Sequence, residues 1–189
     1  MLNLFKLDEA QVSQLYAQKM KRDFPPSELK TLDAILKMMR RDEYDVFMAC
    51  SRDVAVAYAL LFRPKNGSIA LLDYLAVEPQ CRAQGIGTVL LEKLRQYYAS
   101  ETEALLIECE RPKAAPDETE ARNRIRFYEK SGAQITDVRI YLFGVEYSLL
   151  VLPCRSMVMS RDWAWQILDL YRQMLPETLF KENVRLIRG

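Results

Sequence analysis

The sequence contains no histidine among its 189 residues. This absence excludes serine and cysteine nucleophiles that depend on a histidine base, and it excludes metal sites built on imidazole ligands. Proton transfer in this protein must therefore use carboxylates, tyrosines, thiols, lysines or water. A transferase fits that restriction well, because its substrate supplies the nucleophile.

Paired cysteines, long apolar runs and an excess of one charge are also missing. None of the four cysteines forms a C-x-x-C pair, which predicts reduced thiols and no metal centre. No apolar stretch reaches the length of a membrane span, and the first residues lack the pattern of a secretory leader. With 27 basic and 26 acidic residues, neither nucleic acid nor a membrane surface is expected as a partner. We therefore expect a cytoplasmic protein.

Half of the residues are apolar, and their spacing predicts one domain of mixed α/β structure. Strands are predicted at residues 2–7, 44–50, 54–62, 69–77, 105–110, 135–143 and 145–152. Helices are predicted from a cap at Asp8, from a cap at Ser27, directly after the loop 82–87, over 121–131 and from a cap at Ser160. The strands 69–77 and 105–110 are connected through a helix, so they should pair in parallel by a right-handed crossover.

The stretch from Leu71 to Leu94 carries the strongest functional signal. An apolar strand ends at Pro79, because proline cannot donate to a strand ladder. The loop 82–87, Arg-Ala-Gln-Gly-Ile-Gly, follows, and a helix begins directly after it. The first turn of a helix has unpaired N–H groups, glycines let a ligand approach the backbone, and Arg82 adds a fixed charge. The sequence therefore predicts an anion site at this helix N-terminus.

Single positions exclude two common phosphate loops. A nucleoside triphosphate loop needs a lysine after its last glycine, but Thr88 follows Gly87. A dinucleotide loop needs a third glycine three positions after Gly87, where the chain has Leu90. The remaining pattern is Arg-x-x-Gly-x-Gly after a strand that ends in Ala-Val. It resembles the acetyl-CoA pyrophosphate loop of the GNAT N-acetyltransferase superfamily.

This resemblance implies a GNAT-like α/β fold, with a mixed, mostly antiparallel central sheet, a parallel strand–helix–strand at its centre and helices on both faces. Residues 1–155 would form the acyltransferase domain, and 156–189 would form a C-terminal helical extension packed on the core. The implied activity is acyl-CoA-dependent N-acyl transfer by direct attack in a ternary complex. Acetyl-CoA would be the co-substrate, a small-molecule or peptide amine the acceptor, and no metal would take part.

By the same resemblance, the strand end and the loop would hold CoA. The backbone of Val77 should pair with the pantetheine arm like a short added strand, and the N–H groups from Arg82 to Thr88 should hold the pyrophosphate. The implied cofactor-binding residues are Leu75, Ala76, Val77, Arg82, Ala83, Gln84, Gly85, Ile86, Gly87, Thr88, Asn123 and Tyr128. Many family members have an asparagine seven residues before the tyrosine. This chain has Ala121 there, and Asn123 lies two residues later.

A second segment, from Arg124 to Ala133, resembles the GNAT helix that carries Phe/Leu-Tyr-x-x-x-Gly. In many members that tyrosine, here Tyr128, lies beside the CoA sulfur. Amine attack on a thioester expels a thiolate, and a phenol with a pKa of about 10 is protonated at neutral pH and can supply the proton. Tyr128 is therefore the candidate general acid. Alternatively, Phe127 and Tyr128 are ordinary aromatic residues of the helix core.

Two glutamates are candidate general bases. Alternation in the strand 105–110 places Glu108 and Glu110 on one face, where the two carboxylates should raise each other's pKa towards neutral pH. Glu108 also stands where related acetyltransferases with a Leu-Glu-Val strand place a base. Alternatively, both glutamates pair with arginines such as Arg111 or Arg124.

The acceptor side carries weaker signals. Asp117, Glu118 and Glu120 follow two prolines in a predicted loop, which favours a cationic amine as acceptor, although a solvated loop explains them equally well. Asp73 lies within an apolar strand, where a lone aspartate is costly, so we interpret it as a structural anchor or part of the acceptor site. A non-catalytic CoA sensor or scaffold of the same fold is the alternative function. A homodimer is compatible with the sequence.

Overall fold

The computed structural model describes residues 2–155 and 162–187. These residues contain an eight-stranded sheet with the strand order β1-β2-β3-β4-β5-β7-β6-β8. The strands are β1 (Leu2–Lys6), β2 (Tyr44–Ser51), β3 (Val54–Phe62), β4 (Ile69–Val77), β5 (Ala104–Glu110), β6 (Gln134–Leu142), β7 (Val145–Pro153) and β8 (Val184–Leu186). Neighbouring strands of this sheet are antiparallel except β4 and β5, which are parallel. The predicted mixed sheet is confirmed.

Helices cover both faces of this sheet, as predicted. They are α1 (Glu9–Leu15, a π-helical turn Tyr16–Met20 and a last turn Lys21–Asp23), α2 (Leu32–Arg40), α3 (Ile86–Tyr98), α4 (Glu118–Lys130), α5 (Trp163–Met174) and α6 (Glu177–Asn183). On one face, α1, α2 and α5 bury residues such as Ile35 and Ile167. On the other face, α3 and α4 bury residues such as Leu90 and Tyr128. Within residues 2–155 and 162–187, no helix combines the length and the apolar character needed to cross a membrane.

Side-chain caps decide where the first two helices begin. Asp8 caps α1 as predicted, because its Oδ1 accepts the N–H of Gln11 at 2.8 Å while Oε1 of Gln11 accepts the N–H of Asp8 at 3.0 Å. The predicted cap at Ser27 is wrong. α2 begins behind Thr31, whose hydroxyl accepts the N–H of Ala34 at 3.3 Å.

A tertiary contact keeps the stretch between α1 and α2 from continuing as a helix. The Tyr74 hydroxyl in β4 accepts a hydrogen bond from the N–H of Lys30 at 2.9 Å and donates one to the carbonyl of Glu28 at 2.8 Å. Backbone groups that bond to a strand side chain in this way are not available for helical hydrogen bonds. The stretch therefore lies over β4 as a connection.

The C-terminal segment shares the core of the sheet. The apolar side of α5 is buried against the same face as α1 and α2. Behind it, α6 leads to β8, which pairs antiparallel with β6 and brings Ile140 opposite Leu186. Neither α6 nor β8 is predicted from the sequence. The predicted cap at Ser160 lies outside the described residues, and Asp162 caps α5 by accepting the N–H of Trp165 at 2.9 Å.

Candidate active site

The two parallel strands separate at the centre of the sheet. β4 and β5 are paired only from Ile69 opposite Ala104 to Leu72 opposite Ile107. Beyond this point β4 continues along β3 as far as Val77, and β5 continues along β7 to its end. An opening between the C-terminal halves of β4 and β5 follows from this divergence. Such an opening outside the carboxyl ends of parallel strands is a common ligand position in α/β sheets.

A β-bulge at Asp73 marks the start of the separation. In the pairing with β3, Leu61 lies opposite Leu72 and Leu60 lies opposite Tyr74, so Asp73 is the extra residue. Its carboxylate is bound by Lys30 Nζ at 2.7 Å and accepts a hydrogen bond from the hydroxyl of Tyr44. Asp73 is therefore a fully paired buried acid, which fits its interpretation as an anchor.

A cleft of about 1940 Å³ opens at this point. This volume is about twice the upper range of pockets that hold one small molecule, so the cleft has room for two substrates. Among the predicted site residues, those that line it are Leu75, Ala76, Val77, Arg82, Ala83, Gly85, Ile86, Gly87, Thr88, Glu108, Glu110, Asn123 and Tyr128. Gln84 does not line the cleft, because its side-chain amide turns away and donates to the carbonyl of Gln80 at 2.9 Å.

The loop before α3 offers unpaired backbone donors to the cleft. Gly85 precedes the helix with φ of 76°, a left-handed conformation that glycine adopts without strain. Its carbonyl accepts the N–H of Val89 at 3.1 Å, which starts the helix. Within the described part of the chain, no acceptor binds the N–H groups from Ala83 to Thr88, and no side chain caps α3. Such a row of donors at the positive end of a helix fits a phosphate group.

Gly87 allows α3 and α4 to approach each other at the cleft. A Cβ atom at this position would lie 3.0 Å from the nearest ring atom of Phe127. Arg82, on the other side of the loop, donates from Nε to the carbonyl of Val77 at 3.2 Å and so ties the loop to the end of β4. No group of three or more cysteine, aspartate or glutamate side chains suited to a metal ion occurs within residues 2–155 and 162–187.

Tyr128 is buried in α4 and lines the cleft. Among the described residues, no group accepts a hydrogen bond from its hydroxyl, although buried tyrosine hydroxyls normally have a partner. Burial, with a smaller contribution from nearby Cys109, raises the pKa of Tyr128 above the usual value for a phenol. The hydroxyl therefore stays protonated at neutral pH and is available as a donor.

Glu108 lies on the opposite face of the sheet from Tyr128, at the separated end of β5. Its Oε2 accepts a hydrogen bond from the hydroxyl of Tyr171 at 2.8 Å, and its Oε1 is buried with no partner among the described residues. Burial raises the pKa of Glu108 to about 8; the hydrogen bond from Tyr171 opposes this shift, and the charge of Asp73 adds to it. The predicted cause is wrong, because Glu110 is not among the groups that raise this pKa.

Glu110 has a different environment from Glu108, although both lie on the same face of β5. Its carboxylate is 3.5 Å from Arg124 of α4, and the same guanidinium is 3.2 Å from Glu120. Pairing with arginines is the alternative to a role as base that the sequence leaves open for both glutamates. The structure shows such a pair for Glu110. Glu108 has a tyrosine as its partner instead.

The acidic residues between β5 and α4 are used locally. Asp117 caps α4 by accepting the N–H of Glu120 at 2.9 Å, so this helix begins before the predicted start at Ala121. Glu118 pairs with Arg122, and Glu120 pairs with Arg124. Two of these three acids are thus neutralised by arginines, which weakens the argument that they attract a cationic acceptor.

Tyr171 is a site residue that sequence reasoning misses. It belongs to α5 and is 63 residues from Glu108 along the chain. In the sequence it is one member of the apolar stripe of a helix, next to Leu170 and one turn before Met174. No local motif distinguishes a tyrosine that fills the core from one that binds a carboxylate.

The raised pKa of Glu108 predicts a pH-dependent stability difference between the protein and its Glu108→Gln variant. Between about pH 4.5 and pH 8 the unfolded chain ionises Glu108 while the folded chain keeps it protonated, so the wild-type protein loses stability as the pH rises. Relative to the variant, we expect a loss of roughly 5 kcal/mol across this window. Urea unfolding of both proteins at each pH measures it. A pH-independent difference would show that Glu108 ionises at its usual pH.

The family model described as "Acetyltransferase (GNAT) family" matches residues 9–133. The Bacillus subtilis (strain 168) protein YjbC, which carries a provisional acetyltransferase name, is 27% identical over 113 residues. This match covers 60% of the chain and 53% of YjbC, so the chain spans about half the length of this curated relative.

Two solved structures show the same fold. A GNAT-family protein from Bacteroides thetaiotaomicron has a TM-score of 0.71 and 18% identity, with 89% of this chain and 96% of that chain covered. Spermidine N-acetyltransferase from Vibrio cholerae, solved with CoA and spermine, has a TM-score of 0.62 and 11% identity, with 80% and 95% covered. Identities this low support the fold alone. Because the family model matches well over half of the sequence, the chain belongs to the GNAT acetyltransferase family.

Proposed function

We propose that this protein transfers the acetyl group of acetyl-CoA to a primary amine by direct attack in a ternary complex. The observation that carries the proposal is one cleft that combines three parts: the unpaired N–H groups before α3, the free hydroxyl of Tyr128 and the buried carboxyl of Glu108. Together they offer an anion cradle, a proton donor and a proton acceptor, which acyl transfer from a thioester to an amine requires.

The cradle before α3 is proposed to hold the pyrophosphate of CoA. The N–H groups without acceptors in residues that line the cleft, at Ala83 and from Gly85 to Thr88, fit its oxygens, and Gly87 lets α4 pack directly against the start of α3. Arg126 and Lys130 also line the cleft from α4 and are one helical turn apart. We propose that they add positive charge for the phosphates. No sequence motif marks these two residues.

Glu108 is proposed as the base that removes a proton from the acceptor. A carboxyl group with a pKa of about 8 is mostly protonated at neutral pH and has to ionise before it can accept a proton. A bound ammonium group beside it would favour the ionised form, because an opposite charge stabilises a buried carboxylate. The arriving cationic amine would thus generate the base that deprotonates it.

Tyr128 is proposed to donate its proton at the other end of the reaction. Bound acetyl-CoA supplies the acetyl group as a thioester. Ionised Glu108 takes one proton from the bound ammonium group, and the neutral amine nitrogen then forms a bond to the acetyl carbon. The carbon–sulfur bond breaks, the leaving sulfur takes the proton of the Tyr128 hydroxyl, and the second proton of the nitrogen returns to the Tyr128 oxygen through solvent. Solvent then removes the proton of Glu108.

A cationic amine is proposed as the acceptor. Glu28 and Glu110 line the acceptor side of the cleft along with Glu108, and the pKa of Glu28 is raised by burial and by nearby Glu110. A buried acid whose pKa is raised by a neighbouring acid favours a positively charged ligand. The polyamine bound in the Vibrio cholerae neighbour is consistent with this class of acceptor.

Incubation with acetyl-CoA and a panel of primary amines tests the proposal by measuring the release of free thiol. We expect release with at least one cationic amine, and we expect acetyl-CoA alone to raise the melting temperature because it binds only the folded protein. A raised melting temperature without thiol release on any amine would favour the CoA sensor or scaffold instead. An unchanged melting temperature at millimolar acetyl-CoA would contradict both functions.

A further inference from the structure

The hydrogen bond between Tyr171 and Glu108 connects the C-terminal helix to the candidate base. Tyr171 is buried, and the packing of Ile167, Leu170 and Met174 against the sheet holds its helix in place. Within the described part of the chain, Tyr171 is the only residue that forms a hydrogen bond with the side-chain carboxyl of Glu108. The residues matched by the family model end at 133, so this contact comes from outside the matched region.

We propose that Tyr171 is a positioning residue for Glu108. Its hydroxyl binds Oε2 of Glu108 and leaves Oε1 as the oxygen that exchanges the proton with the acceptor. The proposal rests on the proposed function. It follows from the two oxygens having different surroundings: one accepts from Tyr171 at 2.8 Å, and the other is buried with no donor among the described residues. A buried oxygen without a donor is costly unless it carries a proton or meets a ligand.

Burial ensures that Tyr171 acts as a donor. Burial and the neighbouring charges of Glu108 and Asp73 raise the pKa of Tyr171 well above that of a free phenol. The hydroxyl therefore keeps its proton over the pH range in which Glu108 titrates. A neutral Glu108 is then protonated on Oε1, and an ionised Glu108 presents the lone pairs of Oε1.

The other polar groups near Glu108 do not replace this contact. Asp73 on β4 is already bound by Lys30 and Tyr44, and Lys30 acts on Glu108 only through its charge. Tyr147 on β7 and Cys109 on β5 also interact electrostatically with Glu108, without a hydrogen bond to it. Removing the Tyr171 hydroxyl would thus leave both oxygens of Glu108 without a donor.

The Tyr171→Phe variant tests the proposal, because phenylalanine keeps the ring and removes only the hydroxyl. The hydrogen bond favours the ionised carboxylate, so its loss should raise the Glu108 titration midpoint by about one pH unit. Carboxyl-labelled glutamate followed by NMR reports this midpoint directly in the free protein, and the signal is assigned by its absence in Glu108→Gln. The midpoint of kcat against pH should move in the same direction, with a loss at pH 7 of at most about tenfold that diminishes at high pH.

Tyr98→Phe provides the matched control. Tyr98 also donates to a buried carboxylate, Oδ2 of Asp45 at 2.6 Å, but it does not line the cleft. The control should leave the Glu108 midpoint unchanged, whatever it costs in stability. Tyr171→Leu, a second way of removing the hydroxyl, should reproduce the shift if the phenylalanine variant folds poorly.

The two proposals fail in different ways. An unchanged Glu108 midpoint in both Tyr171 variants would show that Tyr171 only fills the core, and would overturn its positioning role even in an active enzyme. Absence of thiol release from the wild-type protein would contradict the proposed function, while the NMR titration would still measure the effect of Tyr171 on Glu108.

Discussion

Replacing Glu108 by glutamine is expected to lower kcat by about 10²- to 10³-fold, the usual contribution of a general base. Glutamine has nearly the same shape and can still accept the hydrogen bond from Tyr171, so the fold and the cleft should persist. The amine would then lose its proton only to water. Steady-state kinetics at saturating acetyl-CoA measure the loss, and an unchanged KM for acetyl-CoA would locate it in the chemical step.

Glu110→Gln is the variant to compare with it. The two glutamates are two residues apart on the same face of β5, but Glu110 is paired with Arg124, whereas Glu108 has no ion pair among the described residues. We therefore expect at most a severalfold loss from Glu110→Gln. A larger loss in Glu110→Gln than in Glu108→Gln would mean that Glu110 is the base. The raised pKa of Glu108 would then have no part in catalysis.

The dependence of kcat on pH tests independently whether Glu108 is the base. With Glu108 as the base, kcat should rise with pH towards a plateau whose midpoint lies below 8, because the bound ammonium favours the ionised carboxylate. The stability difference between wild-type protein and Glu108→Gln is measured without any amine, and it levels off near the pKa of Glu108 in the free folded protein, about 8. A midpoint of kcat below that pH would therefore show that the acceptor itself promotes ionisation.

Much of the side of the cleft that we propose for CoA is predictable because its parts are consecutive in the sequence. The end of β4, the loop that starts at Arg82 and the first turn of α3 follow one another without interruption, so strand, glycine and helix signals combine locally. Tyr128 is predictable for the same reason, since its motif lies within a single helix. Gln84 is the exception, because the direction of a side chain in a loop is not determined by the loop motif.

The surroundings of Glu108 depend on contacts that no local pattern contains. Alternation along β5 correctly places Glu108 and Glu110 on one face, but it cannot indicate which of them meets an arginine and which meets a tyrosine from α5. The bulge at Asp73 becomes visible only in the pairing with β3, where one residue of β4 has no partner. Similarly, α2 begins late because Tyr74 binds the preceding backbone, although the helical spacing starts earlier.

Replacing Tyr128 by phenylalanine is expected to lower kcat by about 100-fold while the dissociation constant of acetyl-CoA changes little. Burial raises the pKa of Tyr128, so it is a weaker acid than a free phenol, and its contribution should lie at the low end of general acid catalysis. The hydroxyl has no partner among the described residues, so its removal breaks no hydrogen bond there. Calorimetric titration with acetyl-CoA and steady-state kinetics separate affinity from turnover.

Tyr97→Phe is the control for this variant, because Tyr97 is half exposed on α3 and does not line the cleft. It should change neither turnover nor affinity. Equal turnover in wild-type protein and Tyr128→Phe would mean that water protonates the leaving sulfur. A loss of affinity with unchanged turnover would instead mean that the hydroxyl binds CoA equally well in the ground state and the transition state. Only a loss confined to turnover identifies a group that acts mainly as the carbon–sulfur bond breaks, because the loss of uniform binding would weaken affinity and leave kcat unchanged.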